Sequence, residues 1–435
     1  MVLGGGAAGM AAAFGLADRG HQVVLLESRK VCGGRAFSSP DRQTQRQLDN
    51  GHHVMLGCYH GMRELLRRLG TDDGFQRDRS LTMAYRFGAD RRASLRLSRL
   101  PVPVAMPWAL LRLGIGFGAR LRAFYGMASV LLGAKKEWTF ADWLRRRGQT
   151  GEPDDVMWRP LCRAVMNVEP EEASAVDFLA TLREAFLGKA SSAAFWLPTR
   201  PWGELLGDPA PAALAKAGVE LRTGARVTGL RCDGDRVTAV LLGDDLIEVA
   251  AGDVVVSAMP WFALQRVMGE HAAVQSLASL RSAPIVTAYF TMAADMQPGE
   301  VPPDEGPVTA LVGGAPFHFL LRTPGEPVGR FALLSGGDRS FDGKSVAEIR
   351  EIALAQLQRF YGIDASRAQV TIRKEQHATF VAAPGTETLR PAPGPLPGGP
   401  NNLMVCGDWT ATGLPATLEG AVRSAEQLLA RWRAD

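Results

Sequence analysis

The spacing of apolar positions changes character several times along the chain, and each change marks an element. After MVL comes a glycine cluster and then a small, apolar run, MAAAFGLADR (10–19), that reads as a helix closed by Gly20. HQVVLLE follows as a buried parallel strand ending on Glu27. HGMRELLRRLG (60–70) has helical periodicity and 100–188 reads as mostly helical. DPAPAALAKAG, near 208–219, predicts a helix with proline tolerated in its first turn. From Val219 the pattern alternates with period two, turns at DGDR and GDD, and ends in the apolar run Val254 to Val256. PIVTAYFTM (284–292) and GRFALLS (329–335) read as strands of a second sheet. A helix in SVAEIREIALAQLQRFYG separates them from the strand-like QVTIRKEQH.

The first loop carries chemistry. Gly4, Gly6 and Gly9 stand at the spacing that permits a tight turn and brings backbone amides to a pyrophosphate at a helix N-terminus. Glu27 lies about twenty positions on, where a carboxylate accepts the ribose hydroxyls of an adenosine. In SRKVCGGRAFS, Gly33 and Gly34 allow close backbone approach and Arg35 is placed to pair with a phosphate. The tail, NLMVCGDWTATGLPATLEGAVRSA, reads as a strand, a polar turn at Gly407 and Asp408, and a helix whose first amides, Thr417 to Gly420, aim at a developing anion. A dinucleotide site built from the start, a middle segment and the end of the chain is the expectation. A first strand of three residues is shorter than the usual length of about five, so the N-terminus reads as clipped.

Bulk properties narrow the classes. A chain of 435 residues exceeds what one core usually holds, so two domains are expected. With 46% hydrophobic and 22% charged residues it is an ordinary folded chain. Its five cysteines are scattered and none is in CxxC spacing, which supports neither a disulfide framework nor a metal site and fits a reducing cytoplasm. No secretory leader is expected ahead of the glycine loop. A net charge of +4 argues against a nucleic-acid binder, yet between Arg86 and Arg122 eight arginines face one acid, Asp90. The apolar stretch interleaved with them never reaches the roughly eighteen uninterrupted residues of a spanning helix. With Trp108, Phe117, Phe124 and Tyr125 it suits a surface resting among anionic headgroups, the alternative being a core helix hairpin with solvated arginines.

Gly4, Gly6, Gly9, Glu27, Gly33, Gly34, Arg35 and the tail GDW…PATLEGAVRSA resemble the FAD-dependent superfamily of amine oxidases and phytoene desaturases. The resemblance implies an α/β fold. A discontinuous Rossmann-like FAD-binding domain (1–85, 205–270 and 395–435) would join a second α+β domain facing substrate and membrane (86–204 and 271–394). It implies non-covalent FAD, with Glu27 on the ribose, Val227 touching adenine through its backbone, Gly407 and Asp408 near the pyrophosphate and ribityl chain, and Leu418 and Glu419 against the isoalloxazine. Longer stretches are similar to the squalene-associated FAD-dependent desaturases of bacterial hopanoid pathways, the hydroxysqualene dehydroxylases. They are LDNGHHVMLGCYHGMRELLRRLG (48–70), WRPLCRAVMNVEPEEASA (158–175), ALVGGAPFHFLLRTPG (310–325) and ATFVAAPGTETLRP (378–391). An amine oxidase would place a lysine in PIVTAYFTM and aromatic residues before the tail, and this sequence has neither.

The implied reaction replaces the allylic hydroxyl of hydroxysqualene by hydride from reduced flavin, giving squalene. Such a step needs a proton donor. Asp49, His52, His53 and Tyr59 are the candidates, the histidines first because their reference pKa lies nearest neutrality. A turn cap for Asp49 and a backbone bond for one histidine are the alternatives. Arg159 and Asn167 are candidates for orienting the substrate oxygen, or are structural. No second dinucleotide loop is visible, so electrons come from transiently bound NAD(P)H or an electron-donating reductase. The expected location is cytoplasmic, peripheral on the inner face of the cytoplasmic membrane. Two other functions fit the motifs: oxidative desaturation of a phytoene-type polyprenoid, and a catalytically silent flavoprotein beside a prenyl synthase.

Overall fold

The computed structural model describes residues 1–432 apart from 188, 294 and 297–298. Three parts of the chain assemble a six-stranded sheet in the order Val219–Thr223, Val23–Glu27, Val2–Leu3, Val255–Ser257, Leu403–Val405 and Gly394–Pro395. Neighbours are parallel except the last pair, and the central strands are buried, as covered parallel strands must be. The helix Ala7–Ala17 leaves the first strand and lies against the tail helix Leu418–Arg431. Small residues make that approach possible: a Cβ on Gly15 would stand 2.2 Å from the Leu429 Cδ1. The period-two stretch forms a three-stranded antiparallel meander, Gly229–Asp233, Arg236–Leu242 and Asp245–Glu248.

A seven-stranded sheet runs in the order Gln369–Phe380, Ser282–Thr291, Arg330–Gly336, Phe319–Leu321, Val308–Leu311, Thr82–Arg86 and Arg92–Arg96. One face packs Phe290, Phe331 and Leu333 with Ile349, Leu357 and Phe360 of the helix Val346–Tyr361. A Ser345–Glu348 capping box opens that helix and Gly362, at φ +67°, closes it. Strand alternation puts Ile285, Thr287 and Tyr289, with their cross-strand partners Glu375, Arg373 and Thr371, on the opposite face.

Two expectations shift here. Thr82–Arg86 pairs within the seven-stranded sheet, so the domain boundary expected at 85/86 falls inside a strand. The arginine-rich stretch begins as an edge hairpin whose alternation is hidden in the sequence by its outward arginines. Arg86 turns inward, with its guanidinium 2.8 Å from Glu305 and lying over the Tyr361 ring, while Arg91, Arg92 and Arg96 are exposed. The helices Val102–Leu110 and Phe117–Ser129 follow. Among the described residues no helix is long and apolar enough to cross a membrane.

Candidate active site

Gly6 begins the helix Ala7–Ala17 with no side-chain cap and no acid in the first turn, which leaves its first amides for an outside anion. Crowding explains the glycines. A Cβ on Gly9 would lie 1.8 Å from the Gly4 carbonyl oxygen, and Gly4 itself has φ +104°. Gly34 approaches from the other side, where a Cβ would sit 3.1 Å from the Gly6 Cα, and the Gly33 amide donates to the Gly5 carbonyl at 2.9 Å. The two segments form a cradle of bare backbone. Glu27 closes it: one oxygen accepts the Gly5 amide at 2.7 Å and the other accepts the Arg29 amide at 2.8 Å. Each oxygen has two lone pairs, so acceptor capacity for a ribose remains. The Gly224 and Ala225 amides bond to the Arg29 and Glu27 carbonyls, which carries the chain past Glu27 to half-buried Val227.

Further along, Arg35 and Asp408 form an ion pair, and Arg35 also donates to the Ala378 carbonyl at 2.7 Å. The guanidinium expected to pair with a phosphate is thus already engaged with Asp408. Gly407, at φ +137°, donates its amide to Ser424 Oγ at 2.7 Å. Thr417 caps the tail helix through the Gly420 amide at 2.9 Å. The side chain of Glu419 has a task within the protein as well. Its buried carboxylate accepts the Gly61 and Met62 amides at 3.1 and 2.9 Å and so caps the helix His60–Leu69, whose N-cap residue Tyr59 offers no side-chain acceptor. Leu418 begins the tail helix beside it, half-buried.

The loop after the cradle crosses the free face of the seven-stranded sheet. Tyr289 donates its hydroxyl to the Asp49 carbonyl at 3.1 Å, and Asn50 Nδ2 donates to Glu375 Oε2 at 2.6 Å. A Cβ on Gly51 would stand 3.8 Å from His53 Cε1 and 3.9 Å from Ile285 Cγ2. Beside this loop a cleft is lined by Asp49, His52, Arg46, Tyr289, Leu321 and Glu326, among others. Asp49 is buried, with one oxygen accepting from Ser38 Oγ at 2.6 Å and the Trp202 amide at 2.8 Å. Burial outweighs those bonds and pushes its carboxyl up to about 6. Burial, aided by His53, pulls His52 down to about 4; burial and then Arg35 do the same to His53. Both imidazoles are therefore neutral at pH 7. His53 Nδ1 has no partner among the described residues. Tyr59 lies apart from this group, bonded to the Thr417 side chain, with its phenol pushed up by burial and then by Cys58 and Glu419.

Arg159 and the Asn167 amide nitrogen, expected to orient the substrate oxygen or to be structural, are both engaged within the protein, while Asn167 Oδ1 has no partner among the described residues. Arg159 is the hub of an ion-pair network, at 2.8 Å from Asp154 and Glu171 and 2.9 Å from Glu169, which occupies its planar fork. Asn167 ends the helix Arg159–Met166 in the left-handed region and ties it to the sheet, donating to Thr379 Oγ1 at 2.9 Å and the Pro284 carbonyl at 3.3 Å. Sequence reasoning missed Asn50, Tyr289 and Glu375.

Residues 7–427 match the family described as flavin containing amine oxidoreductase. The chain belongs to that family. It is 31% identical to a hydroxysqualene dehydroxylase of Rhodopseudomonas palustris, over 100% of this chain and 99% of the relative. It is 28% identical to a hydroxysqualene dehydroxylase of Sinorhizobium fredii, over 97% and 95% of the two chains. Among solved structures, an oxidoreductase from Methanosarcina mazei shares the fold with a TM-score of 0.75, at 13% identity over 99% of each chain. As a family member the chain is an FAD-dependent oxidoreductase with a Rossmann-like α/β fold. The bare cradle, the unoccupied first amides of its helix and the acceptor Glu27 fit the adenosine diphosphate half of FAD.

Proposed function

We propose that this protein is a hydroxysqualene dehydroxylase, converting hydroxysqualene to squalene. The 31% identity over the whole chain to a relative of that name carries the reading. Reduced FAD, held non-covalently, supplies the hydride; the protein binds, orients and excludes water. The cradle of Gly4, Gly6, Gly9, Gly33 and Gly34 takes the pyrophosphate, Glu27 the ribose and the Val227 backbone the adenine. The apolar part of the cleft, Leu321, Tyr289 and Ala332, receives the hydrocarbon next to His52. His52 and His53, being neutral, hydrogen-bond to the departing oxygen rather than supply its proton.

The protein works from the inner face of the cytoplasmic membrane, where such a substrate is dissolved, and draws electrons from NAD(P)H or a reductase. Trp108, Phe117, Leu131 and Leu132 support this, being 62 to 73% exposed along one helical stretch that follows the exposed Arg91, Arg92 and Arg96. Replacing those three arginines by alanine lowers sedimentation with phosphatidylglycerol vesicles; unchanged binding would contradict the surface. The reaction itself is tested by giving dithionite-reduced, FAD-loaded protein hydroxysqualene in detergent without oxygen and extracting the lipid. Squalene equal to the flavin is the expected yield, and none from a folded, loaded sample would contradict the assignment and favour an oxidative desaturase or a silent partner.

A further inference from the structure

The dehydroxylation needs an acid at the departing oxygen, inside the cleft that receives the hydrocarbon. The ionisable side chains lining that cleft are Arg46, Asp49, His52, Arg200, Tyr289 and Glu326. All but Asp49 are unsuited. Arg46 and Glu326 are paired with each other, and a guanidinium, there or at Arg200, gives up no proton near neutrality. His52 sits near 4 and holds no proton to give at pH 7. The Tyr289 hydroxyl is committed to the Asp49 carbonyl at 3.1 Å, and burial pushes its phenol up.

The fold presents Asp49 to the cleft. The hairpin of Ser38–Pro40 and Gln47–Asp49 follows directly on the cradle glycines, and its register sets Asp49 opposite Ser38. Asp49 Oδ1 takes both donors that reach the carboxyl, Ser38 Oγ at 2.6 Å and the Trp202 amide at 2.8 Å. Among the described residues nothing donates to Oδ2, and unlike His53 Nδ1 it is not sealed in the core. Oδ2 is therefore the oxygen that opens on the cleft. Two donors on Oδ1 also leave Oδ2 as the place for a proton. Tyr289 supplies part of the apolar wall and is tied to the Asp49 backbone, so the wall and the carboxyl are held together.

We propose that Asp49 is the acid that protonates the departing oxygen, delivering the proton from Oδ2 while Ser38 and the Trp202 amide hold Oδ1. The inference rests on the dehydroxylase reading above. Burial already pushes this carboxyl up to about 6 against the pull of Ser38 and Trp202, and Glu204 and Glu326 add to the rise. Seating an apolar chain beside it removes water and favours the protonated form further. The allylic C–O bond then breaks with its electron pair on oxygen, and that oxygen takes the Asp49 proton and leaves as water. The allylic carbon gains hydride from reduced flavin, which is oxidised by two electrons, and solvent returns a proton to Asp49.

Single turnovers of the reduced holoenzyme test this with two substrates, hydroxysqualene and its acetate ester, whose leaving group needs no proton. Asp49→Asn suits the test because its amide oxygen still accepts from Ser38 and the Trp202 amide. It slows hydroxysqualene by about 100-fold or more, the range of general acid catalysis, yet turns over the acetate within a few-fold of wild type. Its FAD content stays that of wild type. Independent of turnover, adding the saturated, unreactive alcohol to oxidised protein produces, in the infrared difference spectrum, the carbonyl band of a newly protonated carboxyl in wild type and none in Asp49→Asn. Equal rates of wild type and variant on the alcohol overturn the inference, as does equal loss on both substrates, which marks a structural role, or a band that persists in the variant. If wild type does not accept the acetate, the band decides alone. Wild type that makes no squalene at all overturns the dehydroxylase reading and this inference with it.

Discussion

The cofactor cradle and the reaction face are built by opposite means. At the cradle the chain removes side chains, so that Gly4, Gly9, Gly33 and Gly34 leave backbone alone to meet the ligand, and the nearest atoms are other backbone atoms. At the reaction face side chains from distant segments interlock, as with Asn50 on Glu375 and Trp202 on Asp49. Adding atoms should damage the first region, and removing them should damage the second.

The largest effect is expected at the cradle. Gly9→Val puts a branched side chain where even a Cβ stands 1.8 Å from the Gly4 oxygen, so the helix must shift off the loop. The variant should purify with less than about a tenth of the FAD of wild type, measured by flavin absorbance; full loading would refute the backbone-cradle description. Next comes Glu419, which works by presence. Glu419→Ala strands the Gly61 and Met62 amides at a buried helix start, a loss of about 3 kcal/mol in urea unfolding, and Glu419→Gln loses less because it keeps an acceptor. Equal stability of the alanine variant would mean that water replaces the cap.

A subtler difference lies in pH. The folded-state pKa of His52 and His53 is depressed below the unfolded value of 6.5 to about 4, so the unfolded chain takes up protons first as pH falls. Their stabilising effect is complete above 6.5 and is lost on the way down to about 4, on the order of 3 kcal/mol for each ring. His53→Gln should therefore flatten the acid limb of the stability curve between those values without changing it at pH 8. Asp49 has the opposite sign. Its pKa, raised from 3.8 to about 6, favours folding at low pH, and that benefit fades as pH climbs through 6. Asp49→Asn keeps an acceptor for Ser38 and Trp202 and should remove this fade, a smaller change that chemical unfolding at pH 5 and 7 would detect.

The same contrast explains what the sequence made legible. Glycine at Gly4, Gly6 and Gly9 is dictated by backbone geometry within a few residues, so loop, helix, strand and Glu27 could be read in one pass. The strands at 282–291 and 330–336 were visible because each face of a strand keeps its own periodicity. Asn50 and Glu375 are 325 residues apart, and no local pattern couples a loop asparagine to a strand carboxylate. The resemblance implied Glu419 at the flavin, but no local pattern showed that its carboxylate also accepts amides of another helix, 357 and 358 residues away in the chain. The sequence left Arg159 open as a substrate ligand or a structural residue, and its ion pairs with Asp154, Glu169 and Glu171 favour the second.

The most direct test of the whole assignment is one anaerobic turnover of the dithionite-reduced, FAD-loaded protein with hydroxysqualene in D2O, read by flavin absorbance and by mass spectrometry of the extracted lipid. Hydride delivery from flavin N5, which exchanges with solvent, requires flavin reoxidation together with squalene carrying one deuterium per flavin oxidised. Reduced flavin that persists beside unchanged hydroxysqualene, or squalene formed without deuterium, would contradict it.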